Sequence, residues 1–530
     1  MSSYPWGVTV RRPAPFFLAL GAALAGSIGI ISALTPEFAD RYDLVRGVLP
    51  PGLPEAARVV ALAFGLALIW LARGLAHRKQ RAWQLAVVIV AVAAAAHLVK
   101  GLDVEEATVS LLLLAALWRY REQFTAPGDA AVLRPLARVL VALAVVALFV
   151  TLREVLVVTK IVENALVLLG ILLTFRALYL WFHPLADKGP HTDEEHAQAR
   201  AVVRDQGRDS LAFFALRRDK RYLFSPSRRT FLAYRVVNGT ALVSGDPIGE
   251  PEELEELLVE FRRIAHAAGW RVAALGASDE LVPLYRRLGF HSVYLGDEAV
   301  VRPAEFSLEG RPIRKVRQSV TRLRKAGFTV RTLGVQEVDA DLRSEIARVS
   351  AEWRGRWPER GFTMTMDALW DYPESVLVLA EDAGGRIGGF LHLVPSPACG
   401  GWSLATMRRR RDTPNGLMEF LIVEAISWAR GHDVSELSLN FAVFAKALRA
   451  TRDASLGLRL LRAGLLRFDR FFQLERLHSF NRKFFPVWRP RFVCFERWTD
   501  APLVALAYLH VEQLLTPPGP WVRDEDLAAV

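Results

Sequence analysis

The sequence predicts a two-part protein: an N-terminal α-helical transmembrane bundle of about six spans, then a cytosolic α/β (α+β) domain. Three observations carry this. Hydrophobic residues make up 52% of the 530 residues and mean hydropathy is +0.20, high for a chain without membrane segments. Apolar runs fall near 15–34, 56–76, 82–99, 104–118, 135–150 and 164–182, several of them long enough for a hydrocarbon core of roughly 30 Å. From about residue 208 the pattern changes to short apolar strands alternating with helical periodicity.

Charge sets the expected orientation. Arg11 and Arg12 precede the first run, His77 to Arg81 (HRKQR) joins runs two and three, and WRYREQF (Trp118 to Phe124) with Arg134 and Arg138 joins runs four and five. The Gly101 to Glu106 loop (GLDVEE) is acidic. Positive loops on one side place the N-terminus and everything after residue 185 in the cytoplasm, and further spans argue against a cleaved signal. Thr151 to Asn164 carries Arg153, Glu154, Lys160 and Glu163 at or near membrane depth, which fits either an external loop or a polar groove for a lipid headgroup.

Lys and Arg total 67 against 56 Asp and Glu, a net charge of +11, which points to an anionic partner. Cys399 and Cys494 match neither a metal knuckle nor a disulfide framework, so a reducing compartment is expected and no metal site.

Residues 186–207 read as a polar linker, with His191, Glu194, Glu195 and His196 at a solvated helix start. A first unit spans 208–327: strand TFLAYRVV, an Asn238-Gly239 turn, strand TALVSG, a helix after GDPIG, strand RVAALGA, a short helix and strand SVYLG. Asp209 and Lys220 flank its entry without a forced role. A second unit, 328–500, repeats the order with ESVLVLAED, RIGGFLHLVPS, GWSLATM, the helix LMEFLIVEAISWARGHD and the strand SELSLNFAVF; residues 501–530 read as a tail. Arg311 to Phe328 is a basic helix whose charge density suits phosphates or lipid headgroups. Leu466 to Val493 interleaves aromatics with cations, suiting a membrane interface, stacked nucleotides or a packed helix.

The strand and helix order with Leu284 to Phe290 (LYRRLGF) resembles the GNAT acyltransferase fold, so the cytosolic part is expected to be a tandem GNAT-like domain. No Gly-rich coenzyme A loop is legible, which disfavours an acetyl-CoA enzyme. GDPIG, LYRRLGF, RKVRQSVTRLRKAGF, PERGF (Pro358 to Phe362), MRRRRDTPNGLMEFLIVEAISWA and LSLNFAVF together resemble the phosphatidylglycerol lysyltransferase (multiple peptide resistance) family, nearest its actinobacterial branch. The resemblance implies a bacterial plasma-membrane enzyme that moves an aminoacyl group from aminoacyl-tRNA to the hydroxyl of phosphatidylglycerol or diacylglycerol. Such a reaction lowers surface negative charge and promotes resistance to cationic antimicrobial peptides. No cofactor is expected beyond aminoacyl-tRNA as co-substrate, and a homo-oligomer is compatible with the spans. One departure stands out: Ala405 occupies a position that is usually acidic in the family. The competing readings are a lipid flippase, transporter or anionic-lipid-binding protein, and a CoA-dependent N-acyltransferase.

Acyl transfer from an activated ester needs a base and oxyanion donors. In Arg408 to Phe420 (RRRRDTPNGLMEF) the expected catalytic groups are Asp412, Asn415 and Glu419 at a helix start, with Asn440 on the next strand. Expected substrate contacts are Arg408, Arg409, Gly416, Lys446, Glu352 and Ala405. Expected phosphate contacts, to tRNA or lipid, are Arg314, Lys315, Arg317, Arg322, Arg324, Lys325, Arg482, Lys483 and Arg491.

Overall fold

A computed structural model describes residues 14–34, 53–101, 104–126, 133–151, 160–181, 191–355, 357, 361–443 and 474–516. The chain divides into two compact units, Met1–Ala186 with Arg263–Trp270, and Asp187–Arg262 with Arg271–Val530.

The N-terminal region is helical: α1 (Ala14–Leu34), α2 (Leu53–Ala76), α3 (Gln80–Gly101), α4 (Val104–Arg119), α5 (Leu133–Thr151) and α6 (Lys160–Trp181). Among the described residues, two segments, Ala14–Ile31 and Lys160–Trp181, have the length and hydropathy to cross a bilayer, so the six-span count is not established by these helices. Helices α1 and α2 meet at two glycines: a Cβ on Gly26 would lie 2.5 Å from the Gly65 carbonyl oxygen, and one on Gly65 2.6 Å from that of Gly26. Small residues let two backbones touch, a packing mode suited to apolar surroundings where burial alone gives little drive. Arg153 and Glu154 of the proposed polar groove lie outside the described residues.

The second unit opens with α7 (Asp193–Gln206), started by a Thr192–Glu195 capping box as its sequence predicts. Its first half contains β1 (Arg221–Phe224), β2 (Phe231–Val237), β3 (Thr240–Ser244), α8 (Leu254–Ala267), β4 (Arg271–Ser278), α9 (Val282–Arg287) and β5 (His291–Val301). The Asn238-Gly239 turn has positive φ at both residues, as a tight hairpin requires. The second half contains α10 (Arg314–Lys325), β6 (Thr329–Gly334), α11 (Ala340–Arg354), β7 (Val376–Glu381), β8 (Ile387–Ser396), β9 (Gly401–Arg409), α12 (Leu417–Gly431), β10 (Glu436–Val443), α13 (Leu474–Asn481), β11 (Val487–Phe495) and α14 (Ala501–Val511).

All eleven strands form one sheet, ordered β1-β2-β3-β4-β11-β5-β10-β9-β8-β7-β6. Each half contributes one parallel pair joined through a helix, β3–α8–β4 and β9–α12–β10, which is the repeated unit that the sequence order suggested. The C-terminal strand does not stay with the second half; β11 lies between β4 and β5. Residues 501–511, read from sequence as the start of a tail, form α14, with Val504, Ala507, Tyr508 and Val511 buried in the first core.

Candidate active site

The centre of the sheet is irregular on neighbouring strands. Gly276 of β4, at φ +79°, is skipped in the pairing with β11. Leu295 of β5 is skipped opposite β11, one extra residue of β10 is fitted at Leu439–Asn440 opposite β5, and Ala405 of β9 is skipped opposite β8. Between β9 and β10 the parallel pairing runs only from Glu436↔Gly401 to Ser438↔Ser403. Beyond those two serines the strands part, and the parting is flanked by the bulges at Ala405 and Asn440. Bulges leave a residue out of the ladder and re-aim backbone groups, which is why they recur beside active sites.

Asn440 holds the parting. Its backbone is left-handed (φ +70°), a conformation Asn tolerates better than most residues, and its Nδ2 donates to the Leu404 carbonyl at 3.0 Å and the Met364 carbonyl at 2.8 Å. It thus positions β9 against β10. Ala405 is buried in the same apolar cluster as Phe362, Met366 and Val394. His392 of β8, paired with Thr406 just past the bulge, is buried and its Nε2 has no hydrogen-bond partner. Burial and then the Arg408 charge lower its pKa to about 3, so it is a neutral imidazole.

Behind the parting lies a buried charge centre. Arg491 of β11 donates Nη1 to Asp209 Oδ2 at 2.7 Å and Nε to Glu298 Oε2 at 2.9 Å, with a longer contact from Nη1 to the Gly276 carbonyl at 3.4 Å. Ser438 donates to Glu298 at 2.6 Å, Ser210 also donates to Glu298, and Ser403 donates to the Ser210 carbonyl at 2.7 Å. The serines at the end of the β9–β10 pairing are therefore tied to this cluster. Burial opposes ionisation of Glu298, but Arg491 and the two serine hydroxyls hold its carboxyl below the usual range. Nearby Asp246 of GDPIG accepts from the Ser278 N–H; burial and then Asp209 raise it to about 7.

Lys220, the other residue flanking the domain entry, is fully buried. Its Nζ donates to the Phe214 carbonyl and to Ser244 Oγ, both at 2.6 Å, over the Phe362 ring. Burial first, then Arg217, lowers its pKa from 10.5 to about 7. Below that value both folded and unfolded chains carry the proton, and the full cost of the buried charge is felt. As pH rises from about 7 towards 10.5 the folded chain releases the proton first, so folding gains stability. Wild-type stability minus that of Lys220→Met should therefore increase across this window, on the order of 4 kcal/mol when fully expressed. Unfolding midpoints measured at pH 7 and pH 10 check this; a flat difference refutes it.

The opening of α12 is built differently from its sequence reading. Arg410 donates to the Ile387 carbonyl at 2.7 Å and pairs with Glu345 and Glu352 of α11, each at 3.4 Å, while Glu352 also accepts from the Arg411 N–H at 2.7 Å. Arg409 donates to the Thr413 carbonyl at 3.3 Å, and Asp412 pairs with Arg386 at 2.9 Å on the surface. Gly416, at φ +92°, lies so close to α10 that a Cβ there would sit 2.7 Å from Ser319 Oγ; Arg322 donates to the Asn415 carbonyl. Glu419 pairs with Lys483 at 2.7 Å. This start of α12 is thus a joint between α10, α11 and the loop, with its acids matched to cations. Arg408, on β9 opposite Phe390, and Glu352 flank the end of the strand that carries Ala405.

The basic helix divides by face. Val316, Val320 and Leu323 are buried, Arg317 donates to the Leu308 carbonyl at 2.6 Å, and Arg324 pairs with Glu424 at 2.6 Å. Arg314, Lys315 and Lys325 are exposed, and Arg317, Gln318, Thr321, Arg322 and Lys325 line a surface groove of about 380 Å³. Arg482 and Lys483 are exposed beside α13. Arg491 must be removed from the expected phosphate contacts: it is 3% exposed and saturated by two carboxylates. Lys446 and residues 466–473 of the aromatic–basic stretch lie outside the described residues. Glu298, Ser210, Ser438 and His392 escaped the sequence reading. For the three on strands, Glu298, Ser438 and His392, the one legible signal is a polar residue at an inward strand position, as in GDEAVV and FLHLV; Ser210 lies in a turn before the 3-10 helix Ala212–Leu216.

Comparison with known proteins agrees with this architecture. A family model described as phosphatidylglycerol lysyltransferase, C-terminal, matches residues 200–495. The lysylphosphatidylglycerol biosynthesis bifunctional protein LysX of Rhodococcus jostii is 37% identical over 363 residues, 67% of this chain and 32% of that protein. LysX of Mycobacterium marinum is 36% identical over 357 residues, again 32% of its length. The chain therefore spans about a third of the length of these relatives. Among solved structures, L-PGS from Bacillus licheniformis has a TM-score of 0.56 at 22% identity, covering 62% of this chain and 100% of that one; it is similar in fold. The C-terminal domain of a putative lysylphosphatidylglycerol synthetase from Agrobacterium fabrum has a TM-score of 0.52 at 25% identity, covering 59% and 96%. The match over more than half of the chain leads to one assignment: this protein belongs to the phosphatidylglycerol lysyltransferase family through its C-terminal domain.

Proposed function

We propose that this chain is a membrane-bound aminoacyltransferase that moves an aminoacyl group from aminoacyl-tRNA to a hydroxyl of phosphatidylglycerol, with diacylglycerol as the alternative acceptor. The observation that carries the reading is the family match over residues 200–495, which contains the β9–β10 parting and the basic groove on α10. The lipid hydroxyl attacks the ester carbonyl, the new ester bond forms, and the bond to the tRNA ribose breaks. The hydroxyl proton ends on the released ribose oxygen. Backbone groups re-aimed by the bulges at Ala405 and Asn440 suit the developing oxyanion, and neutral His392 suits a hydrogen bond to the acyl group. An activated ester requires no further cofactor. The cations that line the α10 groove, Arg322 and Lys325, contact RNA phosphates.

The N-terminal helices cross the bacterial membrane six times with both the N-terminus and the catalytic domain in the cytoplasm, following the positive-inside pattern. Transfer of a cationic aminoacyl group neutralises the lipid and lowers attraction for cationic antimicrobial peptides.

Labelled aminoacyl-tRNAs, offered one at a time to membranes containing the protein, should yield labelled lipid. Absence of label from every aminoacyl-tRNA, from wild type and Ala405→Asp alike, refutes the reading and favours a lipid-binding or transport protein. Arg322→Glu with Lys325→Glu, both in the α10 groove, should raise KM for aminoacyl-tRNA about tenfold at low salt. It should also reduce the salt slope by about 2, since each lost phosphate contact removes about one. A salt-independent defect would contradict electrostatic binding.

A further inference from the structure

We propose that a groove on the opposite side of the start of α10 seats an acyl chain of an anionic lipid, with the lipid phosphate held by the cations beside it. It rests on the lipid acceptor of the proposed function and adds a place where that lipid meets the domain. The groove has a volume of about 360 Å³ and its apolar walls are Val301, Phe306, Ile313, Phe484, Phe485 and Val487. This size lies in the range of small-molecule clefts.

The groove is held firmly. Arg317 of α10 donates to the Leu308 and Gly310 carbonyls at 2.6 and 3.1 Å, fixing one side of the loop that follows β5. Arg430 of α12 donates to the Pro303 carbonyl at 2.8 Å and to that of Phe306, fixing the other. Phe485 is a left-handed residue (φ +52°), unfavourable for a bulky side chain, yet its ring is 59% exposed. Val487 beside it is 43% exposed. A strained backbone that turns an aromatic ring outward gains nothing from internal packing and points to a partner outside the domain.

Two features choose the partner. Wall strand β5 is paired on both sides, with β11 and β10, and offers no ladder to an added peptide strand; β11 pairs with β4 only from Arg491 onward, and in its Val487–Pro490 segment Pro490 has no N–H to donate to an added strand. The rim is cationic. Arg311, Arg314, Lys315 and Arg482, adjacent in sequence to the lining, are exposed, whereas Arg302 is matched by Glu305 at 3.2 Å and Glu309 is the remaining acid. An apolar slot bordered by cations and an exposed aromatic is complementary to an anionic headgroup above a hydrocarbon chain.

The test uses the full chain in phosphatidylcholine vesicles, doped either with phosphatidylglycerol carrying a diazirine in its acyl chain or with phosphatidylcholine carrying the same group. After illumination, label from the phosphatidylglycerol probe should map to peptides containing residues 301–313 and 482–488, several-fold above that from the phosphatidylcholine probe. Phe485→Asp should reduce it several-fold, and Arg314→Ala with Lys315→Ala should erase the preference for the anionic probe, both with unchanged unfolding midpoints. Equal labelling by both probes, label confined to the N-terminal helices, or undiminished label in Phe485→Asp would overturn the proposal. Because this labelling needs no aminoacyl donor, labelling here with no transfer in the separate aminoacyl-tRNA assay faults only the proposed reaction, and transfer in that assay without labelling here faults only this groove.

Discussion

Arg491→Met should destabilise the C-terminal domain by about 3–5 kcal/mol, the usual cost of stranding buried charge by deleting its partner. Methionine fills much of the volume but leaves Glu298, fully buried, and Asp209, 22% exposed, without their shared cation. At roughly 2–4 °C per kcal/mol for a domain of this size, the unfolding midpoint should fall by about 10 °C. Adding Asp209→Asn and Glu298→Gln should recover most of the loss, because the stranded carboxylates become neutral. A drop of less than about 1 kcal/mol in the single variant would mean that water reaches the cluster and screens it. The wild-type cluster is also acid-labile in a defined direction. Glu298 has a folded pKa below 4.5, so its contribution is present above that value and is lost as pH falls through the depressed one.

Gly249→Ala should be comparably damaging through sterics alone. Gly249 closes the GDPIG stretch at φ +140°, and a Cβ there would lie 2.4 Å from Thr230 Cα and 2.5 Å from the Arg229 carbonyl oxygen. Both atoms are backbone, so the strand start must move. Strain of about 1–3 kcal/mol adds to overpacking of about 1–3 kcal/mol. Thr230 Oγ1 also accepts from the Glu250 N–H at 3.0 Å, a contact displaced by the same methyl. Chemical denaturation should show a reduced midpoint with an unchanged slope; an unaltered midpoint would show that the loop relaxes freely.

Much of the architecture was legible in the residues. Periodicity of two against 3.6 separated strands from helices, Asn238-Gly239 marked its hairpin, and the repeated strand–helix–strand order revealed the tandem halves. The chemistry was harder to read. The four arginines at 408–411 read as an anion-binding mouth, and one of them, Arg410, is instead matched by Glu345 and Glu352 of α11, a pairing that only the fold creates. Arg491 looked like a phosphate contact because aromatics and cations surround it in sequence. Strand alternation turns its side chain towards Asp209 and Glu298 instead. Bulges at Ala405 and Asn440 depend on the register of a partner strand, so local sequence does not announce them. Asn440 was singled out from sequence, and its place at the strand parting is set by that register.

The placement of β11 between β4 and β5 sets an order of events during synthesis. When the ribosome has released β5, the first half still lacks the strand that joins β4 to it, and Arg491 is absent from between Asp209 and Glu298. Two acids and two strand edges stay open until β11 has emerged. The nascent first half is therefore exposed to misfolding and to chaperone capture while the second half is being made, and β11 acts as the closing wedge of both halves at once.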